Sequence, residues 1–268
     1  MRVAAVQMNS GPDVSANLRR AGELVREAAS LGATLAVLPE NFALMGEGEE
    51  DKRAAQERAD GSGPIVGALA AWARELRIHL IGGGLPERSA DPLRPYNTSV
   101  LVGPSGVLAT YRKIHLFDVD LPDGSSHRES AATSGGPPEP CVAEVDGVKV
   151  GMTICYDLRF PELYRATERR GARVVTVPAA FTLTTGKDHW HALLRARAIE
   201  NQVFVVAAAQ HGRHPRGRQT YGKSLIVDPW GDVLAQCGEG EGVCIATLDF
   251  AYQDRVRAAL PCLAHRRM

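Results

Sequence analysis

Gly171-Ala172-Arg173-Val174-Val175-Thr176-Val177-Pro178 repeats, in residue type and partly letter for letter, Gly32-Ala33-Thr34-Leu35-Ala36-Val37-Leu38-Pro39. Each stretch is followed three residues later by phenylalanine, Phe181 and Phe42. A glycine stop followed by a short apolar, β-branched run reads as a buried strand entered from a helix. The same order recurs further on. Ser99-Val100-Leu101-Val102-Gly103-Pro104-Ser105-Gly106 matches Ser224-Leu225-Ile226-Val227-Asp228-Pro229-Trp230-Gly231, and Val-Leu-Ala follows both Pro/Gly turns. Val3–Met8 then corresponds to Val150–Cys155. The chain therefore reads as one domain, residues 1–268, built from two similar halves. Each half supplies a sheet with helices on its outer face, and the sheets pack face to face. The expected fold is an α/β four-layer α-β-β-α sandwich with an internal pseudo-two-fold repeat. The alternative is a chance match of common α/β phrases.

Helix signals agree with this order. Asp13–Leu31 places Val14, Leu18, Ala21, Leu24, Val25, Ala28 and Leu31 on one face and stops at Gly32. Pro64–Leu76 opens with proline at the first helical position. Ile78–Gly82, Ser99–Val102 and Val107–Tyr111 read as further strands. A chain of 268 residues is long enough to bury a large core without staples.

Lys and Arg number 31 and so do Asp and Glu, for a formal net charge of zero. This balance argues against nucleic acid or an anionic membrane as a partner. The one local basic run, Arg213 to Lys223, is broken by Pro215 and glycines and reads as a solvated loop. Five widely spaced cysteines with no C-x-x-C pair suit a reduced intracellular protein. No signal-peptide pattern and no membrane-length apolar run is visible. The expectation is a soluble cytoplasmic protein.

The repeat also isolates the chemistry. Where the first half has Met8 the second has Cys155, and where the second has Ala179 the first has Glu40. Cys155 ends the apolar run 148–154, and Pro161 opens a helix after it. A thiol at the carboxyl end of a strand is placed where α/β sheets bind ligands, although free cysteine is also a common core residue. A thiol nucleophile needs a base and a group to stabilise developing charge. Glu40 follows the strand at 35–39 and is expected at the same sheet edge. Lys113 follows the strand Val107–Tyr111, and Glu129 lies in a polar stretch ending at Ser130. Taken singly, each reads as a solvated charge; their convergence on one edge is what suggests a site. His115 and His189 are rival bases in a papain-like scheme. His189 and His191 stand two apart on an expected helix and so do not share a face, which disfavours a metal site. Gly217-Arg218-Gln219-Thr220-Tyr221-Gly222-Lys223-Ser224 fits the P-loop pattern, but no strand precedes it and a strand, Leu225–Val227, follows.

With these residues in view the chain resembles the nitrilase superfamily of carbon–nitrogen hydrolases, nearly end to end. The likeness rests on Leu38-Pro39-Glu40-Asn41-Phe42, on Tyr111-Arg112-Lys113-Ile114-His115-Leu116-Phe117, and on Gly151 through Glu162 with Cys-Tyr-Asp-Leu-Arg-Phe-Pro-Glu. Within it the chain looks most like the Nit branch of amidases, through residues 115–120, 180–186, 195–202 and 205–210. The resemblance implies the same sandwich fold. It also implies Glu40 as general base, Cys155 as nucleophile, Lys113 with the Tyr156 N–H facing the oxyanion, and Glu129 as a second carboxylate orienting Lys113. Lys113 should help lower the thiol's pKa. The implied reaction is hydrolysis of the terminal amide of a small carboxylate-bearing substrate to acid and ammonia. Deaminated glutathione or a related α-keto acid amide is the expected substrate. Arg159 would hold the carboxylate, unless it forms an ion pair with Glu162 or Asp157. Phe160 and Phe181 would wall the pocket, with Tyr156 and Thr185 nearby. No metal or organic cofactor is required, and relatives in the branch imply a homodimer or larger homo-oligomer. A nitrilase, an N-carbamoyl amidohydrolase and a non-catalytic scaffold remain alternatives. His191, where relatives usually carry Glu, leaves pocket detail open.

Overall fold

The computed structural model describes residues 1–121, 124 and 126–267. Two six-stranded sheets carry the chain. In the first, Gly242–Thr247, Arg2–Gln7, Leu35–Val37, His79–Glu87, Tyr96–Gly103 and Gly106–Arg112 lie side by side. In the second the order is Cys141–Val145, Val148–Met152, Val174–Ala179, Phe204–Ala209, Leu225–Val227 and Val233–Gln236. Each sheet has three central parallel strands, one antiparallel neighbour on one side and an antiparallel pair on the other. The two orders correspond strand for strand, as the repeat requires. One difference closes the molecule: the last strand of the chain pairs with the first, whereas its counterpart Cys141–Val145 directly precedes Val148–Met152.

Sequence alternation explains the layers. Val3, Ala5, Leu35, Val37, Ile81 and Leu101 point inward and pack with the apolar residues of the second sheet. Their neighbours Ala4, Val6, Ala36, Leu38, Leu80, Val100 and Val102 point outward against the helices Val14–Ser30 and Pro64–Leu76. A sheet covered on both faces needs continuous apolar runs, which these strands have. On the far side, Pro161–Arg169 and Leu183–Asn201 cover the second sheet, and Trp190 and Leu194 join its core. The expected helices match closely, with Asp13 capping the first through Ala16 N–H and Pro64 opening the second.

The two sheets meet most tightly at the end where the parallel strands stop. Met8 N–H donates to the Ala209 carbonyl (3.4 Å) and His211 N–H to the Met8 carbonyl (2.8 Å). Beside them Gly83 lies against Pro178: a Cβ on Gly83 would sit 2.0 Å from Pro178 Cβ and 2.7 Å from the Leu38 carbonyl. This contact sets the sheet spacing where Glu40 and Cys155 must meet. One expectation is corrected by this arrangement. Glu40 does not share a sheet with Cys155; it ends a strand of the first sheet, and Cys155 follows a strand of the second.

The segment Arg213 to Lys223 also departs from its reading as a solvated loop. His211–Arg213 pairs with Gln219–Tyr221 as a short hairpin. It is held by Tyr221 N–H on the Phe181 carbonyl (3.0 Å) and by His214 between the Ser10 carbonyl (3.0 Å) and Thr220 Oγ1 (2.7 Å). The P-loop-like residues 217–224 thus run through a strand and on to Leu225–Val227, with no helix following.

Gly83→Ala should destabilise the protein by about 1–3 kcal/mol, the usual cost of overpacking a dense core, read as a lowered urea midpoint. An unchanged midpoint would mean that the sheets are free to move apart.

Candidate active site

Four charged or reactive side chains converge from four separate segments. Glu40 follows Leu35–Val37 and is 4% exposed; Lys113 follows Gly106–Arg112 and is 2% exposed. Glu129 begins the turn Glu129–Ala131, and Cys155 begins the turn Cys155–Arg159 after Val148–Met152. Lys113 Nζ donates to Glu40 Oε1 at 3.0 Å and to Glu129 Oε2 and Oε1 at 2.8 and 3.1 Å. One ammonium is therefore clamped between two carboxylates.

Backbone and side-chain donors fix each carboxylate. Glu40 Oε2 accepts from Ala180 N–H (3.1 Å), the residue just past the equivalent strand of the other half. Glu129 Oε2 accepts from Phe117 N–H (2.7 Å). Asn97 was not singled out from the sequence, yet its Nδ2 donates to Glu40 Oε1 (2.9 Å) and to Glu129 Oε1 (3.2 Å). Gly84, at φ +64°, lets this cluster close. A Cβ there would stand 2.7 Å from Glu40 Cγ and 2.8 Å from Asn97 Oδ1. The signals for both were present in the letters: the run Gly82-Gly83-Gly84, and an asparagine near the start of Tyr96–Gly103, the strand before the one that leads into Lys113.

The turn carrying the thiol is built on Asp157, which is fully buried. Its carboxylate accepts from Tyr111 Oη–H (2.6 Å), Ile154 N–H (2.9 Å) and His115 N–H (3.1 Å), and lies 2.7 Å from His115 Nδ1. Buried carboxylates require such compensation. Held this way, the chain turns sharply after the strand and Cys155 adopts φ +48°, a conformation uncommon for non-glycine residues. His115 is committed to Asp157 and stacks on Phe160 at 3.6 Å. Neither ring is among the residues lining the cavity, which corrects the expected placement of Phe160 in the pocket wall. Asp157 is engaged by Tyr111, His115 and Ile154, and among the described residues neither it nor Glu162 forms an ion pair with Arg159. Arg159 instead lies over the Phe181 ring (5.2 Å) and near His189 Nδ1 (3.3 Å).

A cavity of about 660 Å³ opens beside the cluster. Glu40, Lys113, Glu129 and Cys155 line it, together with Tyr156, Arg159, Phe181 and Thr185. His191 does not; it bonds Gln236 Oε1 (2.7 Å).

Electrostatics set the resting protonation. Burial alone would push Lys113 down, but Glu129 and Glu40 outweigh it and hold the ammonium well above its ordinary value. Burial would raise Glu129, yet the adjoining Lys113 keeps it below the ordinary carboxylate value. The thiol goes the other way. Burial and then the Glu40 charge push Cys155 well up, and Lys113 only partly offsets them. The expected lowering by Lys113 is present but loses, because burial first and the Glu40 carboxylate second both disfavour the thiolate.

The family comparison agrees with this geometry. The profile described as carbon-nitrogen hydrolase matches residues 2–258. The deaminated glutathione amidase of Synechocystis sp. is 45% identical over 266 residues, covering 98% of this chain and 97% of its own length. The crystal structure of the C. elegans NitFhit protein superposes with a TM-score of 0.92 at 38% identity, across 99% of this chain; the chain spans 65% of that protein. An amidase from Nesterenkonia sp. AN1, seen as a Glu-to-Gln variant with acrylamide added at its active-site cysteine, gives a TM-score of 0.80 at 30% identity, over 97% of this chain and 98% of its own. The chain belongs to the carbon–nitrogen hydrolase family of the nitrilase superfamily, and it is an amidase of that class.

Two outcomes follow from the site. Glu40→Gln removes the charge that raises the thiol, so alkylation of Cys155 by iodoacetamide should set in at lower pH while amide turnover is lost. A shift to higher pH would contradict the charge balance. Asn97→Ala should lower kcat by about 10–100-fold, the range for loss of groups that orient a site, with the circular dichroism spectrum unchanged.

Proposed function

We propose that the protein hydrolyses deaminated glutathione or a closely related α-keto acid amide through a Cys155 thioester. Glu40, Lys113 and Glu129 complete the catalytic group. The observation that carries the reading is the Lys113 clamp beside Cys155 in a cavity that also holds Arg159. The names of the relatives supply the substrate class.

With burial and the Glu40 charge pushing the thiol up, its proton moves to Glu40 as sulfur attacks the carbonyl carbon, rather than beforehand. The developing oxyanion faces Lys113 Nζ and the Tyr156 N–H. Loss of one such donor typically costs about 3 kcal/mol of barrier. The proton on Glu40 passes to the departing nitrogen, and the C–N bond breaks to leave a thioester. Glu40 then takes a proton from water, which attacks the thioester, and the thiolate recovers a proton as the acid leaves. From a primary amide the leaving group is ammonia. In deaminated glutathione the carbonyl is joined to the amino group of a dipeptide, so that amine leaves instead. Arg159 offers its guanidinium to the carboxylate of the acyl part, with Phe181, Tyr156 and Thr185 around it.

The protein is further read as a single-domain cytoplasmic enzyme that self-associates. Support for association comes from Ile199, Trp230, Val233 and Leu234, which are 41–53% exposed although apolar. Ile199 and the Trp230–Val233 turn are neighbours, since Ile199 packs against Gly231. Sedimentation should give at least twice the mass of one chain, and a monomer at micromolar concentration would contradict association.

The catalytic reading is tested by Cys155→Ala, which should fold normally and lose at least about a thousandfold in kcat/KM, as nucleophile removal does elsewhere. Retained turnover would remove the thiol from the reaction. A panel of deaminated glutathione, α-keto acid amides, a nitrile and an N-carbamoyl compound should place the highest kcat/KM among the first two.

A further inference from the structure

We propose that Arg216 and Arg218 form a second anion subsite, which takes the carboxylate at the far end of an extended dicarboxylate substrate, on the leaving-group side of the scissile amide. This inference rests on the reading above and adds the half of the substrate that Arg159 does not address. Both arginines line the same cavity as Cys155, from the hairpin His211–Arg213/Gln219–Tyr221. The position is a built one. Thr220 bridges to Thr182, the cap of the helix Leu183–Asn201, and Arg216 is fixed in a left-handed conformation at φ +57°. Across the opening the Arg218 guanidinium donates to the Gly46 carbonyl, and that of Arg216 lies against Gly48.

The charges are uncompensated. Among the described residues neither guanidinium forms an ion pair, whereas Arg20, Arg112, Arg128, Arg173 and Arg197 do. Glu49, on the opposite lip, is paired with Arg53, and Glu47 is exposed there without reaching either arginine. Both arginines are exposed at the cavity rim; partial burial of the Arg218 guanidinium and then the neighbouring Arg216 charge press Arg218 below its ordinary value. A carboxylate entering between the two forks would relieve their repulsion and accept charge-assisted hydrogen bonds from both.

Deaminated glutathione has the matching chemistry. It carries one carboxylate on the acyl side of its amide and one on the glycine at the other end. A short α-keto acid amide has only the first, so the hairpin arginines would separate the two substrate types.

The test reads binding, so it stands apart from turnover. In full-length Cys155→Ala protein, calorimetry compares deaminated glutathione with the same molecule capped as its glycinamide. The free carboxylate should bind about tenfold or more tightly, the range expected of a charge-assisted contact. Adding Arg216→Gln and Arg218→Gln together should bring the two dissociation constants to within about twofold. Arg216→Gln alone, which keeps the Arg218 bond to Gly46, should shrink the ratio part way. Equal affinities in the Cys155→Ala protein, or a ratio untouched by the arginine changes, would overturn the subsite. Failure of the amidase reading would show separately, as absent turnover by the unmodified enzyme.

Discussion

A single buried ammonium between two carboxylates is the constraint around which the rest of this molecule is arranged. Lys113 at 2.8–3.1 Å from Glu40 and Glu129 is expensive to desolvate. The fold supplies compensation at each end: Ala180 and Phe117 backbone donors, and the Asn97 amide spanning both acids. Replacing such a cluster by hydrocarbon would often stabilise a protein. Its presence in this core is better explained by chemistry than by stability. Beside the cluster, burial and then the Glu40 charge push the Cys155 thiol up, and the ammonium only partly offsets them.

Duplication explains how the cluster can exist. Two like halves place equivalent strand ends opposite each other, and the close approach at Gly83 and Pro178 brings those ends together. Equivalence then breaks at the reacting positions. Met8 stays an apolar, buried residue bridging to Gln210, while its counterpart Cys155 turns out into the cavity. Glu40 reaches across to the N–H of Ala180, just past its own counterpart Ala179. Asp157 makes that asymmetry rigid, because four groups from Tyr111, His115 and Ile154 meet on one carboxylate behind the thiol.

Much of the architecture was legible because strands covered on both faces must be apolar throughout, and the Gly-to-Pro phrases at 32–39 and 171–178 show this twice. Helix limits were legible from Asp13 and Pro64, which act locally. Glu40, Lys113, Glu129 and Cys155 could be picked out as segment-end residues, and the structure brings all four together. Phe160 could not be placed correctly, since whether an aromatic ring faces a cavity or a neighbouring histidine depends on a side-chain direction that spacing does not encode. The hairpin at 211–221 was missed for a related reason. Its arginines and glycines look like a solvated loop until the Phe181 carbonyl, Ser10 and Thr182 are brought to it from distant parts of the chain.

The linear order of residues determined the layers, the repeat and the kinds of groups available for reaction, because periodicity, capping and residue chemistry are properties of near neighbours. Tertiary structure alone decided that Glu40 and Cys155 come from facing sheets, that Asn97 joins two acids, that Asp157 is engaged by Tyr111 and His115, and that burial and Glu40 push the Cys155 thiol up. Each of those depends on distances between residues tens to more than a hundred positions apart, and on the loss of water around them, which no local stretch of chain can specify.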